Sequence, residues 1–197
     1  MAWRNGDVLE IPPSRSVFVE FGTFGALGER TLPALRTPHE LTDWTLSFPS
    51  GWGAPEKVAL ERPMSWTEIP GFTREAKAFA GTVTYEVEFD CSDASAPVEL
   101  DLGRVESIAK VYVSDVSVRT LWCEPYACDI TDFVKTGRND LRIEVVNTWR
   151  NRVIFDLGQP VEKRQTWILH REGYNPSAND PFVPAGLLGP VSLQVCK

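Results

Sequence analysis

A short stretch of the chain groups five side chains that could contact a sugar: Asn147, Trp149, Asn151, Arg152 and Asp156. An indole ring can cover the apolar C–H face of a sugar, while amide, guanidinium and carboxylate groups can bond its hydroxyls. The same groups can instead fasten a loop, because a buried amide must be hydrogen-bonded and an arginine pairs well with a nearby carboxylate. The sequence leaves both interpretations open.

Two further side chains join this candidate site. Trp122 lies on a connecting segment beside Cys123 and Pro125, where it could close the core or form a platform at the edge of the fold. Tyr174 lies in a long polar stretch, and loops of that length are often functional. The predicted carbohydrate-binding residues are therefore Trp149, Asn151, Arg152, Asp156, Trp122 and Tyr174.

No catalytic residue is predicted. A glycosidase needs two carboxylates roughly 5 to 9.5 Å apart, but a chain with 27 acidic residues always offers some such pair. No Ser-His-Asp arrangement, phosphate-binding loop or dinucleotide fingerprint is present. We therefore expect that the chain is not an enzyme on its own.

The charge of the chain argues against two classes of partner. Its formal net charge of −7 repels phosphate backbones and anionic lipids, so neither nucleic acid nor a membrane is a predicted partner. No apolar run approaches the roughly 20 residues of a membrane span. With 197 residues, 43% of them hydrophobic, the chain can bury the core of one domain without disulfides or metal.

Alternating apolar residues predict the elements that carry these side chains. Residues 82–90 place Val83, Tyr85, Val87 and Phe89 on one face and polar residues on the other. This period of two is typical of an antiparallel sheet with one solvated face, and its repetition predicts an all-β sandwich or barrel. A short helical turn capped by Asp129 is also expected. The same alternation recurs in four sets: Val98, Leu100 and Leu102; Ile108, Val111 and Val113; Leu141, Ile143 and Val145; and Val191, Leu193 and Val195.

The first forty residues differ in character from the rest. Residues 1–22 contain a strand-like run without an apparent partner, and residues 23–40 are rich in breakers and have the composition of a linker. Residues 41–197 form the predicted β-sandwich.

The strand motifs together resemble a known family. They are similar to the galactose-binding-domain-like, sugar-binding β-sandwich of glycoside hydrolases, above all the C-terminal module of family 106 α-L-rhamnosidases and more distantly the sugar-binding domain of family 2 enzymes. The resemblance covers roughly residues 40 to 195. The motifs that carry it are Phe79, Gly81 and Tyr85; Leu100–Gly103 and Val105; Asp129–Thr131, Lys135, Gly137 and Asn139; Asn147, Trp149, Asn151 and Arg152; and Ala185–Val191.

This resemblance implies a jelly-roll sandwich that acts as a non-catalytic carbohydrate-binding module of a bacterial, α-L-rhamnosidase-like glycoside hydrolase. The alternative is a structural domain that packs on the catalytic barrel without binding sugar itself. The implied partners are a plant or bacterial polysaccharide and the catalytic domain of a parent enzyme, in a secreted or periplasmic location. Residues 1–22 would be the leftover last strand of the preceding domain.

The sequence does not determine whether the chain binds a metal ion or forms a disulfide bond. A structural calcium is compatible with such sandwiches, although no metal ligand or other cofactor is predicted. Cys123 and Cys128 could form a disulfide across a turn or act as unconnected small hydrophobic residues. The acidic residues that could contribute to calcium binding are Asp90, Asp93, Asp101, Asp129 and Asp132.

Two positions depart from the family pattern. Ser114 and Asp115 stand where the family turns with Asn-Gly, so we expect a different or looser turn. Phe155 replaces a glycine, which is expected to alter the loop shape near Asp156.

Overall fold

Two antiparallel sheets form the body of the protein in a computed structural model, which describes residues 38–168 and 175–195. None of the helices in these ranges combines the length and the apolar character that a membrane crossing requires. The strands are β1 (His39–Glu40), β2 (Trp44–Ser47), β3 (Lys57–Leu60), β4 (Thr82–Cys91), β5 (Val98–Asp101), β6 (Arg104–Glu106), β7 (Ile108–Val113), β8 (Val116–Leu121), β9 (Ala127–Asp129), β10 (Gly137–Val146), β11 (Gly186–Gly189) and β12 (Ser192–Val195). The helices are α1 (Arg74–Lys77) and α2 (Arg150–Leu157), with 3₁₀ turns at Thr131–Phe133 and Val161–Lys163.

The larger sheet has the strand order β3-β2-β4-β10-β7-β8, and the smaller has the order β1-β12-β5-β9. Strands β11 and β6 form a separate pair. At the centre of the larger sheet, β4 and β10 pair over ten residues, from Gly137 opposite Cys91 to Val146 opposite Thr82. The alternating side chains of both strands therefore meet on one buried face, which confirms the predicted all-β antiparallel sandwich.

The structure changes three details of the predicted elements. The strand that carries the candidate site ends at Val146, and the next regular element is helix α2. Ile108 was expected to face the core but is 40% exposed, because Ala109 occupies the buried register of β7. The turn after Asp129 is a single 3₁₀ turn, with Asp129 Oδ1 accepting from the backbone N–H and the hydroxyl of Thr131. These contacts lower the pKa of Asp129.

The predicted domain boundary falls mostly outside the described residues. The leftover strand at residues 1–22 and the linker up to residue 37 are in that part of the chain. His39 and Glu40, the end of the predicted linker, form β1 and pair with β12. The last residues of the predicted linker thus contribute to the smaller sheet.

The hairpin between β7 and β8 keeps a two-residue turn despite its unusual sequence. Val113 pairs with Val116, and the two residues between them, Ser114 and Asp115, have φ values of 47° and 65°. Positive φ at both central positions defines a type I′ turn, which matches the twist of the flanking strands. The expectation of a turn of a different type or one residue looser was therefore wrong, because Asn-Gly favours this same type.

The Ala185–Val191 motif contains β11 and packs against the aromatic core. Tyr85 is fully buried, and its hydroxyl accepts from Trp66 Nε1 and from the backbone N–H of Leu187. Burial raises the pKa of Tyr85 far above its usual value. Gly186 has φ +96°, and a Cβ there would lie 2.3 Å from Trp66 Nε1, so only glycine fits.

A candidate interaction edge at the end of β10

Asn147, directly after β10, binds the chain segment that leads into β4. Its Nδ2 donates to the carbonyl of Phe79 at 2.9 Å, and its Oδ1 accepts from the N–H of Gly81 at 3.0 Å. The side chain is buried. Its amide therefore has one donor and one acceptor partner within the chain.

Asn151, the second residue of α2, makes the same kind of double contact. Its Nδ2 donates to the carbonyl of Val183 at 2.8 Å, and its Oδ1 accepts from the N–H of Val183 at 2.9 Å. The residue is 1% exposed. The amide thus pairs with the backbone just before β11 as a neighbouring strand would.

Arg152 is a buried cation at the centre of this region. Its guanidinium carbon lies 5.4 Å from the ring centroid of Trp52 and 5.2 Å from that of Phe155. Its Nε is 3.0 Å from Asp156 Oδ1, and Nη1 is 3.7 Å from a Glu75 carboxylate oxygen. Neither contact has the geometry of a directed hydrogen bond, so charge attraction and ring contacts hold this side chain.

Asp156 connects α2 to the segment that follows it. Its Oδ2 accepts from the backbone N–H groups of Gln165 and Thr166, at 3.0 and 2.7 Å, and from the Thr166 hydroxyl at 2.7 Å. The second oxygen faces Arg152. Oδ2 of this buried carboxylate therefore accepts three hydrogen bonds within the chain, while Oδ1 has the charge of Arg152 beside it.

We call Asn147, Asn151, Arg152 and Asp156 the latch. Asn147, Asn151 and Asp156 fasten the segments around residues 79–81, 183 and 165–166 to β10 and α2, and Arg152 supplies the counter-charge of Asp156. All four are buried, and the loop-fastening interpretation accounts for the hydrogen bonds of Asn147, Asn151 and Asp156. The assignment of Asn151, Arg152 and Asp156 as carbohydrate-binding residues stays a prediction, which this burial does not favour.

The exposed Trp149 and the half-buried Trp52 lie together above the latch, and we call this pair the aromatic edge. Trp149 is 49% exposed, and its ring meets that of Trp52 edge to face at a centroid distance of 5.8 Å. Trp52 in turn covers the guanidinium of Arg152. The latch therefore fixes the position of an apolar surface that can accept either a partner protein or a sugar face.

The remaining predicted site residues lie elsewhere. Trp122 is 72% exposed on the segment after β8. Strand β7 lies between β8 and β10, so this segment is two strand spacings, about 10 Å, from the strand that leads to the latch. Tyr174 lies outside the described residues. The predicted site did not include Trp52. Its position among the turn residues 49–55 was the signal that could have identified it.

The acidic residues considered for calcium have structural partners or lie apart. Asp101 Oδ1 accepts from the N–H of Gly103, and Asp129 Oδ1 accepts from Thr131. Within residues 38–168 and 175–195, no group of three or more His, Cys, Asp or Glu side chains is placed to hold a metal ion.

The cysteines at 123 and 128 are not bonded to each other. Both are free thiols, with Cys123 exposed and Cys128 buried. Burial raises the pKa of Cys128 to about 11, so this thiol stays protonated at neutral pH. Cys128 thus behaves as a small hydrophobic residue of β9.

Comparison with known proteins relates the chain to part of much longer enzymes. No family model matches it. A Formosa agariphila protein named "Putative beta-glucuronidase" is 32% identical, with the match covering 77% of this chain and 15% of that protein. The rhamnosidase structure from Novosphingobium sp. PP1Y is 33% identical with a TM-score of 0.72, covering 86% of this chain and 16% of that one. A β-D-glucuronidase of Dictyoglomus thermophilum shares the fold at 20% identity and a TM-score of 0.57, covering 85% and 29%.

These matches identify the chain as similar to a domain of glycoside hydrolases. It spans less than a fifth of the length of the Formosa protein and of the rhamnosidase.

Proposed function

We propose that this chain is a non-catalytic accessory domain of a bacterial glycoside hydrolase and that it packs on the catalytic domain through the aromatic edge. The observation that supports this most is the contrast between the latch and the edge. The side chains of the latch are buried, with the two amides and Asp156 Oδ2 hydrogen-bonded within the chain and Arg152 beside the Asp156 carboxylate, while Trp149 remains half exposed beside Trp52. Aromatic residues fixed at a surface are typical anchors of protein interfaces.

The resemblance of the motifs supports the finer features of this proposal. The parent enzyme would be α-L-rhamnosidase-like, with this domain at its C-terminal end, and it would be secreted or periplasmic. The similarity to the Novosphingobium rhamnosidase agrees with such a parent.

An exchange of domains tests the packing role. The region of the Novosphingobium rhamnosidase that matches this chain is replaced by it, and the temperature of half-inactivation is measured. In the isolated chain, Trp149→Ala removes an aromatic pair worth about 1 kcal/mol and lowers Tm by about 2–4 °C. In the chimera we expect a decrease at least about twice as large, because the interface contact is lost as well.

Trp167→Ala is the matched control. Trp167 is 80% exposed, so its removal should leave both melting temperatures unchanged. Equal effects of Trp149→Ala in the isolated chain and in the chimera would show that Trp149 serves only its own domain. Such a result would contradict the packing role.

Carbohydrate binding is the second candidate function. The exposed ring of Trp122 supports it, because that residue lies away from the latch and presents most of its surface to solvent. In this role the domain would hold a plant or bacterial polysaccharide near the parent enzyme. The two functions use different surfaces and can coexist.

A further inference from the structure

The outer face of the larger sheet carries three exposed apolar side chains in one row. Val146 of β10 pairs with Ile108 of β7, and these residues are 38% and 40% exposed. Leu121 of β8 pairs with Ala109 and is buried. Trp122 is 72% exposed and follows Leu121 just beyond the end of β8; continuing the register of β7 and β8 by one residue predicts that it lies on the outer side, level with Ile108. We call Trp122, Ile108 and Val146 the outer row.

Hydrogen bonds fix the backbone that carries the outer row. The segment with Trp122 returns to the core at Tyr126, which is buried and whose hydroxyl donates to the carbonyl of Ser107 at 2.8 Å. The N–H of Ser107 donates to the carbonyl of Val146 at 3.1 Å. Both ends of the row are thus anchored to neighbouring strands. The entropy cost of ordering this backbone when a ligand binds should therefore be small.

Polar side chains flank the outer row on the same face of the sheet. Lys110 lies opposite Glu144 in the register of β7 and β10. The Tyr112 hydroxyl donates to Glu144 Oε2 at 3.0 Å, and Arg142 Nη1 lies 2.5 Å from Glu144 Oε1. Lys110 Nζ lies 4.8 Å from the ring centroid of Tyr112. The flank therefore offers hydrogen-bonding groups to a ligand. Their charges are already compensated, since Arg142 pairs with Glu144 and Lys110 lies over the Tyr112 ring.

We propose that the outer row and its flank bind a neutral saccharide, with one sugar ring stacked on Trp122 and its hydroxyls bonded by the flank. This inference rests on the carbohydrate-binding candidate and gives it a site. The row spans two strand spacings, about 10 Å, which suits a short saccharide. Three partly exposed side chains present much less area than the roughly 800 Å² per partner of a stable protein interface. The paired charges of the flank and the net charge of −7 disfavour an acidic sugar.

Titration calorimetry of the whole chain tests this site. The probes are rhamnose, galactose and galactotetraose as neutral ligands, and glucuronic acid as the acidic one, each at millimolar concentration. We expect saturable heat from at least one neutral ligand and at least about tenfold weaker binding by Trp122→Ala, because the stacking surface is lost. Trp122→Phe should retain most of the affinity, and Trp149→Ala should bind like the wild type.

The other outcomes separate the site from the function. Binding that is lost in Trp149→Ala but kept in Trp122→Ala overturns the outer row as the site and leaves carbohydrate binding in place. Tighter binding of glucuronic acid than of every neutral ligand overturns the preference for a neutral sugar. No heat with any of the four ligands overturns both the site and the carbohydrate-binding candidate, but leaves the packing role untouched.

Discussion

At the scale of residues, Arg152 determines what the end of β10 can do. A buried guanidinium must have compensating partners, and here they are the carboxylate of Asp156 and the rings of Trp52 and Phe155. Both the nitrogen and the oxygen of the Asn151 amide are hydrogen-bonded to the backbone of Val183. The groups that could have bonded sugar hydroxyls are thus buried, and the exposed chemistry that remains at the end of β10 is aromatic.

Removing the charge of Arg152 should lower the free energy of unfolding, and neutralising Asp156 as well should restore part of it. Arg152→Met leaves the buried carboxylate of Asp156 without its counter-charge, and we expect it to lower the free energy of unfolding by about 3 kcal/mol. Arg152→Met with Asp156→Asn should recover part of this loss, because a neutral amide oxygen still accepts from Gln165 and Thr166. Urea unfolding of the single and double variants measures both effects.

Arg138→Met provides the comparison, since Arg138 pairs with Glu88 at the surface. Such a pair contributes less than about 1 kcal/mol. If Arg152→Met cost no more than Arg138→Met, or if the double variant were less stable than Arg152→Met alone, the latch would not hold these loops.

At the scale of elements, the sequence predicts those whose signal is local. Alternation from Val83 to Phe89 and from Leu141 to Val145 predicted β4 and β10, because each strand buries one face. Helix α2 was missed since its eight residues include buried Asn151, Arg152 and Asp156, so it lacks an apolar stripe. The partners of these side chains, such as Val183 and Thr166, are distant in sequence, and no local pattern specifies them.

The β7–β8 turn offers a test of element stability. Non-glycine residues at positive φ are strained, and Asn-Gly is the favoured pair for a type I′ turn. We expect Ser114→Asn with Asp115→Gly to raise the free energy of unfolding by about 1 kcal/mol, as measured by chemical denaturation. Ser117→Gly, within the exposed strand β8, should instead lower it by about 0.5–1 kcal/mol. A decrease in the turn variant would refute the assigned turn type.

At the scale of the whole molecule, the sandwich presents two separate aromatic surfaces. The aromatic edge lies above the latch, where α2 and the segments before β4 and β11 meet. The outer row lies on the face of the larger sheet, with Trp122 as its exposed ring. This division suggests one surface for the parent enzyme and another for a sugar, and each can be altered without the other.

Hydroxyl-radical footprinting of the tryptophans tests the packing role most directly. Oxidation of each ring is compared between the isolated chain and the chimera with the Novosphingobium rhamnosidase. The account predicts that oxidation of Trp149 falls several-fold in the chimera, while Trp122 and Trp167 are oxidised equally in both. Equal oxidation of Trp149 in the two proteins would show that no catalytic domain covers the aromatic edge, and the central claim would be wrong.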